Sequence, residues 1–157
     1  MDIIRLRGAL NSGSNLFELP LKVAYYARVS TEKDEQRGSL GNQIDYYERM
    51  IRENPNWTFA GGYVDEGISG TGVLARRSFL RMIEDGKSGV FDLLITKEIS
   101  RFSRNTLDSI RYTQELLNCG VGVFFQSDNI NTLLPDSELR LTIMAGIAQD
   151  EVRELSE

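Results

Sequence analysis

An arginine and a serine follow the first apolar run of the sequence. The mostly apolar segment 21–27 predicts a buried strand, and Arg28 and Ser30 come directly after it. Because side chains alternate along an extended chain, these two residues leave the strand end on the same side. A cation beside a hydroxyl group suggests chemistry at this point of the chain.

A second group of cations follows a later apolar run, in the segment "KEISRFSRN" at residues 97–105. If this segment forms a helical turn, Lys97, Arg101 and Arg104 share one face, because they are spaced by four and three residues. A phosphate would suit such a face, since guanidinium groups match its oxygens. A solvated basic patch paired with acids such as Glu98 is equally compatible with this segment alone.

The segment "DEGISGTG" at residues 65–72 could surround a phosphate with backbone amides, and Arg76 and Arg77 follow it. It lacks the ending of a P-loop and the spacing of a dinucleotide-binding motif, so by itself a flexible loop is the commoner interpretation. Gln43 lies in the first turn of the helix that Ser39 is expected to cap. It could bind a phosphate, hold the serine loop or simply lie on the surface.

Composition limits the available chemistry. The 157 residues, 41% of them hydrophobic, suffice for one domain with its own core. There is no histidine, which removes the usual general base and the commonest metal ligand, and we predict neither a metal nor a cofactor. The single cysteine, Cys119, is interpreted as a small packing residue.

The net charge of −5 argues mildly against a nucleic-acid surface unless the cations converge. With no long apolar run and no signal-like leader, we expect a cytoplasmic protein without a membrane segment.

Apolar periodicity predicts an α/β fold, with a mainly parallel sheet flanked by helices. The predicted strands are 21–27, 59–65, 91–96 and 121–127, and the predicted helices are 39–53, 76–86, 104–118 and a last one from about 135. We divide the chain into an N-terminal arm (1–20), a catalytic domain (21–134) and the start of a long helix (135–157). Ligands of such sheets bind beyond the carboxyl ends of the strands, where the polar segments described above fall.

Together these segments resemble the catalytic domain of the serine recombinases, the family of resolvases, invertases and large serine integrases or transposases. The resemblance runs from about Val23 to the last residue, and its five motifs occur in order. They are "YARVS", "SLGNQ", "DEGISG" with the arginine that follows, "KEISRFSRN" and "GIAQDE".

The resemblance implies that Ser30 attacks a DNA phosphodiester, forms a phosphoserine link to a 5′ end and releases a 3′ hydroxyl. Arg28, Arg76, Arg101 and Arg104 would surround the phosphoryl group, with Arg77 as the alternative to Arg76, and Gln43 also falls on the family's motif. Lys97, Ser69, Asp65 and Ser100 are the further DNA- or phosphate-binding positions that we predict. Many family members carry aspartate where this chain has Ser100, which puts a carboxylate contribution to proton transfer in doubt.

The last helix is expected to mediate assembly. Its apolar positions suggest one stripe that covers the core and then meets another chain, giving a homodimer that forms a tetramer on paired DNA sites. They are Leu139, Leu141, Ile143, Met144, Ile147, Ala148, Val152 and Leu155. Because "QDEVRELSE" ends without a glycine or proline stop, we expect the helix to continue past residue 157. The long spacing from Ser30 to Gln43 favours the large subgroup of the family.

Two other functions are compatible with parts of the sequence. A small α/β phosphate- or nucleotide-binding enzyme would use the same strand ends, but it should show a phosphate motif or grouped acidic metal ligands. A catalytically inert, DNA-bound assembly module would keep the last helix without needing Ser30 and its arginines. The presence of the serine together with the arginines favours the recombinase.

Overall fold

A computed structural model describes residues 3–29, 39–66, 76–99, 102 and 106–156. The elements are α1 (Ile3–Asn11), a 3-10 turn (Leu16–Glu18), β1 (Leu21–Val29), α2 (Ser39–Glu53), β2 (Trp57–Glu66), α3 (Arg77–Lys87), β3 (Leu93–Thr96), α4 (Thr106–Asn118), β4 (Gly122–Phe125), β5 (Ile130–Asn131) and α5 (Pro135–Ser156).

The strands form one five-stranded sheet in the order β2-β1-β3-β4-β5. The first four strands are parallel, and the two-residue β5 runs antiparallel to β4 at one edge. The prediction of a mainly parallel sheet flanked by helices is therefore confirmed. Parallel pairing brings the carboxyl ends of β1, β2, β3 and β4 to the same edge of the sheet, where ligand sites of such folds form.

Apolar layers cover the two faces of the sheet, because both faces of a parallel sheet must be buried. On one face α2 and the N-terminal segment pack over alternate residues of β1, including Val23 and Tyr25. On the other face the opposite residues of β1, Ala24 and Tyr26, pack against α3, α4 and part of α5. The alternation along β1 thus divides the core in two and directs Tyr26 toward α3.

The N-terminal segment is part of the folded core. Leu6 of α1 is fully buried, and it packs in the same cluster as Leu16, Leu19 and Leu21. The amide of Asn54, after α2, donates a 2.9 Å hydrogen bond to the carbonyl of Phe17. The sequence did not predict α1, and the arm that it did predict lies folded on one face of the sheet.

Two local predictions were wrong. Strand β1 does not stop before Arg28 but continues to Val29, and Arg28 lies opposite Asp65 in the β1–β2 register. A charged residue can remain within a buried strand when a carboxylate lies opposite it. Cys119 is exposed rather than packed, since it lies in the turn after α4, just before Gly120 with its φ of +87°.

The apolar positions of α5 also divide differently from the prediction. Leu141 is buried, and Met144 packs against the core. Leu139, Ile143 and Ile147, spaced by four residues, are instead 55–64% exposed. Among the described residues no helix has both the length and the apolar character needed to cross a membrane.

Candidate active site at the carboxyl edge of the sheet

Five of the ten predicted site residues lie in the part of the chain that the structure describes. They are Arg28, Gln43, Asp65, Arg76 and Lys97. The other five, Ser30, Ser69, Ser100, Arg101 and Arg104, lie outside the described residues. The described part of the candidate site therefore consists of Arg28, Gln43, Asp65, Arg76 and Lys97 and the residues that they contact.

Asp65, near the end of β2, connects β1 to α3. Its carboxylate is only 3% exposed and accepts hydrogen bonds from the Tyr26 hydroxyl (2.9 Å) and from the backbone N–H groups of Ser78 and Phe79 (3.0 Å each). These amides belong to the first turn of α3, which otherwise lacks a capping side chain, since its N-cap residue is Arg76. A carboxylate at this position also interacts favourably with the helix dipole. Asp65 thus fixes the start of α3 against β1.

Tyr26 lies fully buried between β1 and the helices. Its ring packs edge-on against Phe79 and Phe102, at centroid distances of 5.4 and 6.3 Å. Its backbone carbonyl accepts a 3.0 Å hydrogen bond from the Thr96 hydroxyl at the end of β3. Burial, followed by the charge and hydrogen bond of Asp65, raises the pKa of the Tyr26 phenol far above its usual value. The hydroxyl therefore stays protonated and acts as a donor to Asp65.

Arg28 follows Tyr26 by two residues and so leaves β1 on the same side. It is 7% exposed and lies opposite Asp65 in the strand register. The charges of Arg28 and Arg76 both act to lower the pKa of Tyr26, against the larger effects of burial and Asp65. Both guanidinium groups therefore lie near the Tyr26–Asp65 pair.

Arg76 connects the start of α3 to the segment after β3. One of its terminal nitrogens donates a hydrogen bond to the carbonyl of Phe102, and its guanidinium lies 4.2 Å from the centroid of the Phe79 ring. Phe102 is fully buried, and in the sequence it stands between Arg101 and Arg104. Arg76 is thus held against the backbone of the segment that carries the other two predicted arginines.

The two remaining described positions lie at the same edge of the sheet but differ in setting. Gln43 is half-buried in the first turns of α2. Lys97 directly follows β3 and is exposed. It lies in a bend, and the turn joining Ile99 to Phe102 begins two residues later, with Phe102 N–H donating to the Ile99 carbonyl at 3.1 Å. Lys97 is therefore not part of a helical turn, which was the condition of the prediction that it shares one face with Arg101 and Arg104. Those two arginines lie outside the described residues.

Sequence reasoning missed Tyr26 as a member of this site. The available signal was its spacing of two residues from Arg28, which places both side chains on the same side of β1. Its hydroxyl was not identified as a partner of Asp65, because a tyrosine in an apolar strand is usually a packing residue.

The described part of the site carries two guanidinium groups and one carboxylate. Two guanidinium groups and one carboxylate leave a net positive charge next to the end of β1, and three donors from the protein already occupy the carboxylate. Within the described residues, no group of three acidic or cysteine side chains could hold a metal ion. An edge of this kind is suited to an anion such as a phosphodiester.

Several known proteins are similar to this chain in sequence and in fold. Transposon Tn3 resolvase of Escherichia coli is 34% identical over 142 residues, which cover 87% of this chain and 67% of the resolvase. A resolvase family site-specific recombinase from Streptococcus pneumoniae superposes with a TM-score of 0.72 at 29% identity, over 87% of this chain and 91% of that one. The N-terminal catalytic domain of TP901-1 integrase gives a TM-score of 0.68 at 29% identity, over 87% of this chain and 99% of the integrase domain.

The similar proteins include both a resolvase and an integrase, so assignment to the large subgroup stays a prediction. The chain spans about two thirds of the length of the curated relatives that it matches. The family model described as "Resolvase, N terminal domain" matches residues 23–157, which is nearly all of the sequence. The chain belongs to the resolvase family of serine recombinases.

Proposed function

We propose that this chain is the catalytic part of a site-specific DNA recombinase that cuts and rejoins DNA through a covalent phosphoserine intermediate. The observation that carries the proposal is the position of Arg28 and Arg76 around the Tyr26–Asp65 pair, at the end of the strand that leads to Ser30. A phosphodiester bound by these guanidinium groups would lie within reach of a hydroxyl two residues after Arg28.

In the proposed reaction the Ser30 oxygen forms a bond to phosphorus, and the bond from phosphorus to the 3′ oxygen breaks. The electron pair goes to the 3′ oxygen, which takes up a proton as it becomes the free hydroxyl, while Ser30 loses its own proton. The phosphoserine link keeps the energy of the phosphodiester, so reversal with a new 3′ hydroxyl rejoins the strands. Neither water nor a nucleoside triphosphate is consumed.

The arginines supply the electrostatic part of catalysis. Negative charge spreads over the equatorial oxygens in a phosphoryl transition state, and fixed guanidinium groups stabilise it most when they need not reorganise. The bond from Arg76 to the Phe102 carbonyl and its packing on Phe79 support such a fixed position. Arg101 and Arg104 complete the set in this proposal, on either side of Phe102 in the sequence.

Asp65 has a different proposed role from the one that the sequence suggested. Its carboxylate accepts three hydrogen bonds from the protein, and an anion does not bind a phosphate directly, so we assign it to positioning Tyr26 and the start of α3. Lys97, which is exposed beside β3, is assigned to the DNA backbone. Gln43, Ser69 and Ser100 keep the phosphate contacts predicted for them.

The partner is DNA, and assembly is proposed to use α5. Leu139, Ile143 and Ile147 form an exposed apolar stripe along one face of this helix, which supports contact with a second copy of the chain. Homodimers would then pair as a tetramer on two DNA sites. The reaction would take place in the cytoplasm of a bacterium, as for a protein that acts on bacterial, transposon or phage DNA.

The proposal is tested with the full-length protein and substrate DNA. Ser30→Ala removes the nucleophile and should abolish cleavage while leaving folding and DNA binding intact. Ser12→Ala, a serine in the turn after α1, is the matched control and should cleave normally. Cleavage that persists unchanged in Ser30→Ala would refute the proposal.

A further inference from the structure

The turn between β4 and β5 binds the backbone that follows β3. The N–H groups of Gln126 and Ser127 donate to the carbonyls of Thr96 (3.0 Å) and Lys97 (2.7 Å). Ile99, two residues after Lys97, is instead a donor to the turn: its N–H donates to the carboxylate of Asp128 at 2.8 Å. Three successive residues of the turn thus hold the chain that leads into the "SRFSR" segment.

Arg140 of α5 holds the same turn from its other side. Its two terminal nitrogens donate to the carbonyls of Asp128, at 2.6 Å, and of Asn129. Asn129 has a φ of +51°, a left-handed conformation that few residues other than glycine and asparagine adopt readily. A guanidinium that spans two successive carbonyls fixes this unusual backbone geometry, so the turn depends on the position of α5.

The segment that begins at Ile99, which Asp128 binds, is also held at Phe102. Phe102 is fully buried, its N–H donates to Ile99, and its carbonyl accepts from Arg76. The backbone is therefore fixed at Ile99 by Asp128 and at Phe102 by Arg76. In the sequence these two positions enclose Arg101.

We propose that Asp128 and Arg140 are positioning residues that couple α5 to the arginine-bearing segment 97–105. Asp128 would fix the entry of this segment through Ile99, and Arg140 would fix Asp128 through the turn. Displacement of α5 relative to the sheet would then alter the placement of Arg101 without either positioning residue touching DNA. The inference deepens the proposed function, and it rests on the catalytic role assigned there to Arg101.

The contacts favour this role over that of ordinary surface charges. The described partners of Arg140 are two backbone carbonyls, and Asp128 accepts from a backbone N–H that is 29 positions away in the sequence. Both residues therefore stabilise the backbone of segments that are distant from them in the sequence. Since a displacement of about 1 Å at a catalytic group can lower a rate about a hundredfold, such bracing bears directly on the reaction.

The first test is amide hydrogen exchange on the full-length protein. Asp128→Ala removes the acceptor of the Ile99 N–H, and exchange in peptides covering residues 97–105 should accelerate about tenfold, as expected for loss of one charged hydrogen bond. Arg140→Met, which removes a side chain whose described hydrogen bonds go to Asp128 and Asn129, should accelerate exchange in the same peptides. Arg111→Met on α4, whose ion pair with Asp108 is exposed, is the matched control and should leave them unchanged.

The second test is single-turnover cleavage with the same variants. Asp128→Ala and Arg140→Met should lower the cleavage rate without weakening DNA binding, whereas Asp128→Asn keeps an acceptor oxygen and should restore most of the rate. The double variant Asp128→Ala/Arg140→Met should be no slower than the slower single variant, because both residues act through one connection.

Two results would overturn the inference. One is unchanged exchange of residues 97–105 in Arg140→Met. The other is faster exchange in both Asp128→Ala and Arg140→Met together with a normal cleavage rate. The two residues would then stabilise the segment 97–105 without affecting catalysis. The exchange measurement does not depend on cleavage, so it distinguishes failure of this inference from failure of the proposed function, in which the wild type itself would form no link through Ser30.

Discussion

The hydroxyl of Tyr26 donates a 2.9 Å hydrogen bond to the carboxylate of Asp65 in the buried space between β1 and α3. The same carboxylate caps α3 through two backbone N–H groups. One residue thus ties together the strand that leads to Ser30 and the helix whose N-cap residue is Arg76. The order of the proposed active site depends on this pair.

Replacement of Asp65 should destabilise the protein strongly. Asp65→Ala leaves two buried donors and one part-buried donor without their acceptor, and each loss of a buried one costs about 1–3 kcal/mol. We expect the free energy of unfolding to fall by about 3–5 kcal/mol, as measured by urea denaturation. Asp108→Ala, which breaks an exposed ion pair in the first turn of α4, should change it by less than about 1 kcal/mol. Equal effects of the two substitutions would show that the Asp65 contacts do not stabilise the fold.

The buried phenol should make stability depend on alkaline pH. Burial and then Asp65 raise the pKa of Tyr26 in the folded chain, so the unfolded chain loses this proton first, near its ordinary pKa of 10.0. The stabilising contribution is complete below pH 10 and is lost as the pH rises further. Each such tyrosine lowers the free energy of unfolding by about 1.4 kcal/mol per pH unit in this range.

Tyr26→Phe isolates this contribution, because the other raised tyrosines, Tyr25 and Tyr63, remain in both proteins. Urea denaturation between about pH 9 and pH 11.5 should give a shallower decline for the variant than for the wild type. Parallel declines would mean that Tyr26 does not titrate differently in the folded and unfolded chains.

The N-terminal helix should contribute to stability. Leu6 is fully buried, and Leu6→Ala should lower the free energy of unfolding by about 2–5 kcal/mol, the usual cost of a leucine-sized cavity. Ile4, on the same helix, is 75% exposed, so Ile4→Ala should have little effect. Chemical denaturation of both variants tests this directly. If Leu6→Ala is as stable as the wild type, α1 does not form part of the core.

The exposed stripe of α5 should control self-association. Ile143→Asp places a charge at its centre and should weaken association in sedimentation equilibrium while leaving the circular dichroism spectrum unchanged. Leu80→Asp is the matched control, since Leu80 is 54% exposed on α3, away from the stripe. Association that is weakened equally by both changes, or by neither, would argue against α5 as the interface.

Much of the fold was predictable from the sequence, because strongly periodic segments signal their own structure. Helix α2 begins and ends as predicted, and the motifs fall at the ends of the predicted strands. The extent of β1 was not predictable, since Arg28 reads as the end of an apolar run unless its opposite neighbour Asp65 is known. Helix α1 was missed because nothing local distinguishes the buried Leu6 from the exposed Ile4.

The position of the candidate site in the fold was predictable, but its supporting contacts were not. The types and spacing of Arg28, Asp65 and Arg76 placed them at one edge of the sheet. The bonds from Tyr26 to Asp65 and from Ile99 to Asp128 join positions 39 and 29 residues apart. Contacts over such separations depend on how the helices pack, which a local pattern does not specify.

The most direct test of the central claim is to locate the covalent link between protein and DNA. The full-length protein is incubated with substrate DNA, denatured and digested with protease, and the peptide that carries the 5′ phosphate is sequenced by mass spectrometry. The proposed mechanism predicts phosphate linked to the Ser30 oxygen and a free 3′ hydroxyl on the other strand end. Phosphate linked to any other residue, or cleavage that leaves no protein attached to the DNA, would contradict it.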